Sequence, residues 1–320
     1  GKVAVQLRNA FSMTPKEYRK TLVTLSNTVE QKMCAGNWDD IQFGKLPSVA
    51  SARYQKAFFK NAPEKYQAYL EGLKNGTETI NASAVYPYDV VKSLKNGNKE
   101  VAIAQWDALP NFMEGSNELI MPVVDTSGSM AQQINGNPNL SCMDVSVSLG
   151  MYISERNEGP FKDFFITFSE SPKLQHLTGN LYDRYMQLET SDWGWNTNLE
   201  KVFLLILNQA IENRVRAEDM PTKILILSDM EFDQAVRGGT AIGMIESMYK
   251  EAGYTRPKVI FWNIQSRQDN VPVSFTENDT ALVSGFSPSI MKSLLGDKEF
   301  TPESIMKDTI LSERYEMISV

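Results

Sequence analysis

The chain has 320 residues, 42% hydrophobic and 22% charged, an ordinary globular composition with length enough for two modest cores. No apolar run approaches the roughly 20 residues that span a bilayer, and Gly1-Lys2-Val3-Ala4-Val5 has no apolar signal core, which predicts an intracellular, cytoplasmic chain with no membrane partner. A single histidine, His176, and two distant cysteines, Cys34 and Cys142, exclude most acid–base, nucleophilic and Cys/His-metal constellations. A binding role is expected rather than an enzymatic one, metal-assisted hydrolysis being the weakest alternative.

The net charge of -7 is unevenly spread: residues 1–118 hold 15 Lys and Arg against 12 Asp and Glu, net +3, and the rest hold 17 against 27, net -10. The basic part reads as helices in tandem. Tyr18, Leu22, Leu25, Val29 and Met33 recur at three or four, predicting one helix opened by Thr14-Pro15 with Glu17 and closed by Gly36-Asn37. A second runs from Pro47 to Phe59, with Tyr54, Ala57 and Phe58 on its inner side, and a third from Ala62 to Lys74. Two more follow Tyr86-Pro87 and Glu100. Short helices separated by Pro and Gly suggest the tail of a helical-repeat array over 1–118. Lys16, Arg19, Lys20, Arg53, Lys56 and Lys60, with Tyr18, Tyr54, Tyr66 and Tyr69 nearby, make a candidate contact for structured RNA, or simply a solvated face over a Tyr-containing core.

From 119 to 296 strand and helix patterns alternate, predicting an α/β domain with a doubly wound, mostly parallel sheet. The strands are 118–125, 161–169, a short antiparallel 173–177, then 223–229, 258–264 and 281–286; helices fall at 141–154, 181–188, 199–211, 239–251 and after Pro288. A last helix, 301–315 in the 297–320 tail, packs on the body through Ile305, Met306, Ile310 and Leu311.

The first of these strands ends in Asp125-Thr126-Ser127-Gly128-Ser129, which puts one carboxylate and two hydroxyls at alternate positions of a turn at a strand's carboxyl end, where open α/β sheets bind ligands. Such an oxygen set suits a hard cation, Mg²⁺ or Mn²⁺, that an outside acid can complete. Its blander reading is a turn whose hydroxyls cap the next helix. Two further loops offer oxygens: Ser191-Asp192-Trp193-Gly194-Trp195-Asn196-Thr197-Asn198, and Asp229 in Leu-Ser-Asp-Met-Glu-Phe-Asp.

Asp125-Thr126-Ser127-Gly128-Ser129, Thr197 and Asp229 together resemble the metal-ion-dependent adhesion site of von Willebrand factor A domains. With Trp-Gly-Trp-Asn-Thr-Asn, Ser-Asp-Met-Glu-Phe-Asp, Val-Ile-Phe-Trp-Asn-Ile at 259–264 and Leu-Val-Ser-Gly-Phe-Ser at 282–287, the chain resembles a family of plant, fungal, bacterial and large-virus proteins whose C-terminal half is von Willebrand A-like. That family is similar in layout to the Ro60/TROVE ribonucleoproteins. The resemblance implies that Ser127, Ser129 and Thr197 ligate a divalent ion directly, that Asp125 and Asp229 act mainly through water, and that the ion takes an exposed acidic residue of a protein partner. Met230 after Asp229 departs from the commoner Thr-Asp-Gly form. Trp193, Trp195 and Phe232, beside the ligand loops, are candidates for the partner-binding rim. The Ro60 likeness implies RNA binding by the helical region; a structural viral or scaffold protein is a further alternative.

Overall fold

A computed structural model describes residues 2–82, 84–134, 140–168, 171–189, 198–229, 239–265, 280–285 and 288–295, together with 303, 306, 307, 310 and 311. The chain forms two compact units, Gly1–Ala84 and Val85–Val320.

The first unit is helical: α1 (Lys2–Ala10), α2 (Pro15–Leu25), α3 (Val29–Cys34), α4 (Ser48–Asn61) and α5 (Pro63–Lys74), with 3₁₀ turns at Trp38–Asp40 and Phe43–Lys45. The single helix expected from Thr14 to Gly36 is two helices. Its apolar spacing is right, but the Ser26-Asn27-Thr28 step offers the backbone competing partners: the Ser26 N–H closes α2 on the Leu22 carbonyl, and the Thr28 hydroxyl accepts the Gln31 N–H at 3.4 Å to open α3. The core of this unit is aromatic, with Phe43 5.0 Å from Phe58 and 4.9 Å from Tyr66 between ring centroids. The inner face of α4 is Ser48, Ser51, Gln55 and Phe58; Tyr54, expected inside, lies half-buried and donates its hydroxyl to Glu30, and Ala57 is half-buried too.

The second unit begins with α6 (Pro87–Lys95) and α7 (Lys99–Asp107), then alternates β1 (Ile120–Asp125), α8 (Cys142–Arg156), β2 (Phe164–Phe168), β3 (Lys173–His176), α9 (Leu181–Glu189), α10 (Leu199–Glu212), β4 (Lys223–Ser228), α11 (Gly239–Glu251), β5 (Lys258–Asn263), β6 (Thr280–Ser284) and α12 (Pro288–Leu295). The sheet runs β3-β2-β1-β4-β5-β6, every neighbour parallel except β3 against β2. β1 is buried along its whole length, which is why it reads as a continuous apolar run instead of an alternating one. Its alternate residues serve opposite faces. Val123 joins Ile226, Phe261, Phe203 and Tyr249 in the core under α10 and α11, and Val124 meets α8 at Gly150.

Although α6 and α7 precede residue 119, they belong to this unit and pack on α8. The Lys95 ammonium pairs with Asp144 at 2.7 Å, the Trp106 indole donates to Glu155 at 2.7 Å, the Arg156 guanidinium donates to the Trp106 carbonyl at 3.0 Å, and the Tyr152 hydroxyl donates to the Pro110 carbonyl. Of the helix expected at 301–315, Met306, Ile310 and Leu311 are exposed and Ile305 lies outside the described residues. Among the described residues no helix is long and apolar enough to cross a membrane.

Candidate functional site

The strand order reverses direction between β1 and β4: from β1 the chain winds outward to β2 and β3, then returns to β4 on the other side and winds to β5 and β6. Loops leaving two such strands diverge and open a crevice at their carboxyl ends. Asp125 is the last residue of β1, Ser228 is the last of β4 and Asp229 follows it, so the sequence motifs sit on both lips of that crevice.

Asp125 is fully buried and both its oxygens are held. One accepts the Ser127 N–H at 2.9 Å, the local turn that Asp forms with the backbone two residues on; the other accepts the Ser228 hydroxyl at 2.5 Å. Burial pushes this carboxyl up to about 6, against the hydrogen bonds from the Ser228 hydroxyl and from the Ser127 backbone and side chain, with the charge of Asp229 adding to the rise. The turn holds Ser127 in an extended conformation ahead of the 3₁₀ turn Gly128–Ala131, which brings the Ser127 and Ser129 hydroxyl oxygens to 3.0 Å from each other. Ser127 is 8% exposed, Ser129 is half-buried and Gly128 is exposed, whereas Asp229 is 2% exposed. Two neutral hydroxyls thus lie beside two carboxylates that are buried more deeply. This oxygen-only set of two hydroxyls and two carboxylates fits a small hard cation.

Ser127 and Ser129 are thus brought together beside Asp125, and Asp125 feels the charge of Asp229. Thr197 and the rim candidates Trp193, Trp195 and Phe232 lie outside the described residues; the residue after Thr197, Asn198, caps α10 by accepting the Lys201 N–H at 3.0 Å. Among the described residues no group of three or more His, Cys, Asp and Glu side chains converges. His176 pairs with Phe164 at the start of β2, and its ring stacks on that phenylalanine at 4.4 Å. Asp125 pairs with Phe168 at the other end of the same strand, four residues or roughly 13 Å away. The chain's one imidazole therefore faces the wrong edge of the sheet to serve this site.

Ser228 joins the site only through the pairing of the strands. Its signal was there, a hydroxyl beside a strand-tip aspartate in Leu-Ser-Asp, but a serine that ends a strand reads as ordinary until its partner across the sheet is known. Asn263 and Gln265, 4% and 5% exposed at the tip of β5, were passed over likewise; the Gln265 amide donates to the Gln133 carbonyl at 3.4 Å and ties the loop after Ser129 to β5.

In the helical unit Lys16, Arg19 and Lys20 on α2 and Arg53, Lys56 and Lys60 on α4 are all exposed. Their spacing at three and four puts each set on one helix face. The tyrosines are less available: Tyr66 is fully buried and Tyr69 is 5% exposed.

The family described as "Domain of unknown function (DUF7788)" matches residues 119–317. The chain belongs to the DUF7788 family. A second description, "Domain of unknown function (DUF2828)", matches residues 2–119, so the two matches meet at the start of β1. The chain is 31% identical over 328 residues to "Uncharacterized protein L728" of Acanthamoeba polyphaga mimivirus; the match takes in 95% of this chain and 56% of the viral protein, so the chain spans little more than half of that relative. Among solved structures it is similar to the RO (RSR) protein of Deinococcus radiodurans, at 15% identity and a TM-score of 0.46, over 82% of this chain and 62% of that one.

Proposed function

We propose that the DUF7788 part is a non-enzymatic, metal-dependent binding module of the von Willebrand A adhesion type. Ser127, Ser129 and Thr197 would hold one Mg²⁺ or Mn²⁺ through their hydroxyls, Asp125 and Asp229 would act through water, and an acidic side chain of a protein partner would complete the ion, with Trp193, Trp195 and Phe232 as the rim. The observation that carries this reading is the convergence of the Ser127 and Ser129 hydroxyls at 3.0 Å in front of the buried Asp125, at the point where the strand order reverses. An ion held mostly by neutral oxygens stays electron-poor, which is the chemistry needed to capture a carboxylate. Divalent-ion titration of the intact chain, first alone and then with a simple carboxylate such as acetate, tests it: saturable ion binding that then takes up acetate is expected, and no saturable binding would overturn it.

A second reading, contact of the helical unit with structured RNA, rests on the exposed cationic stripes of α2 and α4. With Tyr66 and Tyr69 committed to the core, such contact runs mainly through phosphates. Binding should then weaken steeply with salt, log affinity falling by roughly 0.7–0.9 per phosphate for each unit of log salt. The triple variant Arg53→Glu, Lys56→Glu, Lys60→Glu should flatten that slope in a filter-binding series, whereas equal slopes for variant and wild type would exclude this face.

A further inference from the structure

We infer that Ser228 is a positioning residue of the strand-tip site, its hydroxyl fixing the Asp125 carboxylate and thereby setting the affinity for a divalent ion; the inference rests on the ion-binding reading above.

Backbone pairing between β1 and β4 runs in register from Ile120↔Lys223 to Val124↔Leu227. One residue further the link passes to side chains, as the Ser228 hydroxyl reaches across to the Asp125 carboxylate. Ser228 is itself immobile. It is fully buried, it pairs with Asn263 on β5, and its carbonyl accepts the Ile264 N–H at 2.9 Å. Its donor is therefore anchored from the far side of the sheet and aimed at one oxygen of Asp125, while the Ser127 N–H at 2.9 Å holds the other. A carboxylate gripped on both oxygens keeps one orientation beside the Ser127 and Ser129 hydroxyls, and loss of the Ser228 donor frees one of its oxygens to turn. The same bond ties the tip of β1 to the residue preceding Asp229, so it also fixes the separation of the two acids across the crevice. Outer partners of this kind change metal affinity by about 10- to 100-fold when removed.

The test measures Mn²⁺ affinity of the intact chain by electron paramagnetic resonance for wild type, Ser228→Ala, Ser228→Cys and Ser228→Thr, with circular dichroism and Tm recorded for each. Ala and Cys, which lack a strong donor, should bind Mn²⁺ about tenfold or more weakly, and Thr, which keeps the hydroxyl, should restore affinity. The Cys variant fills the serine's place and carries the test if Ala fails to fold. Rescue by Thr separates positioning from a merely structural role, which loss of stability alone would not do. A wild type that binds Mn²⁺ beside Ala or Cys variants that bind as tightly overturns the inference and leaves the ion-binding reading standing. A wild type that binds no Mn²⁺ overturns both.

Discussion

At Gly150 α8 lies directly against β1, behind the strand tip that carries Asp125. A Cβ at that position would lie 2.5 Å from Cγ2 of Val124, a β-branched and fully buried side chain whose χ1 freedom is restricted. Alanine favours a helix over glycine by up to about 1 kcal/mol, but overpacking here costs about 1–3 kcal/mol, and the clash should win. Gly150→Ala is expected to lower the unfolding free energy, and adding Val124→Ala should cost less than the sum of the two single changes, because the second removes the atom that the first collides with. Strictly additive effects in a urea-melt cycle would show that the strand and helix do not press on each other. Val124 precedes Asp125, so a shift at this contact is passed directly to the carboxylate. Nothing in the sequence reveals the approach: a lone glycine inside the apolar pattern of Ser141–Ser154 reads the same whether it faces water or a neighbouring strand.

At the level of elements, α6 and α7 matter most for how this chain should be divided. Both lie before residue 119, where the DUF7788 match begins, yet their buried Val90, Val91, Leu94, Val101 and Trp106 pack with the second unit. A fragment starting at 119 loses the Trp106–Glu155 hydrogen bond, the Pro110 and Phe112 partners of the Tyr152 hydroxyl, the Trp106 carbonyl that Arg156 donates to, and that apolar cover. It should be less stable than a fragment starting at 85 by at least about 3 kcal/mol, which for this size is a Tm lower by roughly 6–12 °C. Equal melting temperatures for the two fragments would mean that α6 and α7 are accessory. The strands themselves were legible, since Val- and Ile-rich runs of five or six residues ending in polar turns have few other uses in an α/β chain. The break at Ser26-Asn27-Thr28 was not, because apolar spacing continues through it and only the side-chain caps reveal two helices. Likewise the inner face of α4 is set by its neighbours Phe43 and Tyr66, so polar Ser51 and Gln55 go inside while Tyr54 stays near the surface.

For the molecule as a whole, charge sharpens the functional claim. Residues 119–320 carry net -10, and two of those carboxylates, Asp125 and Asp229, lie buried at the strand tips, a field that repels an acidic group from the bare site. Only a bound cation reverses that sign locally, and capture of a carboxylate should therefore be strictly ion-dependent. Half of this site could be read from one stretch, since Asp-x-Ser-x-Ser at a strand end confines its three oxygens to one turn whatever the rest of the chain does. The other half depends on which strand lies beside β1, a long-range fact that periodicity does not encode; hence Asp229 was found by motif and its neighbour Ser228 only by pairing. The most direct measurement is isothermal titration of Mg²⁺ and Mn²⁺ into the intact chain and into Asp125→Ala, followed by acetate titration of the Mn²⁺-loaded protein with water-proton relaxation as the readout. One saturable site in the wild type, its loss in a variant with unchanged circular dichroism, and a relaxation drop as acetate displaces bound water are the predicted results. No saturable binding by the wild type, or binding that Asp125→Ala leaves untouched, would contradict the account.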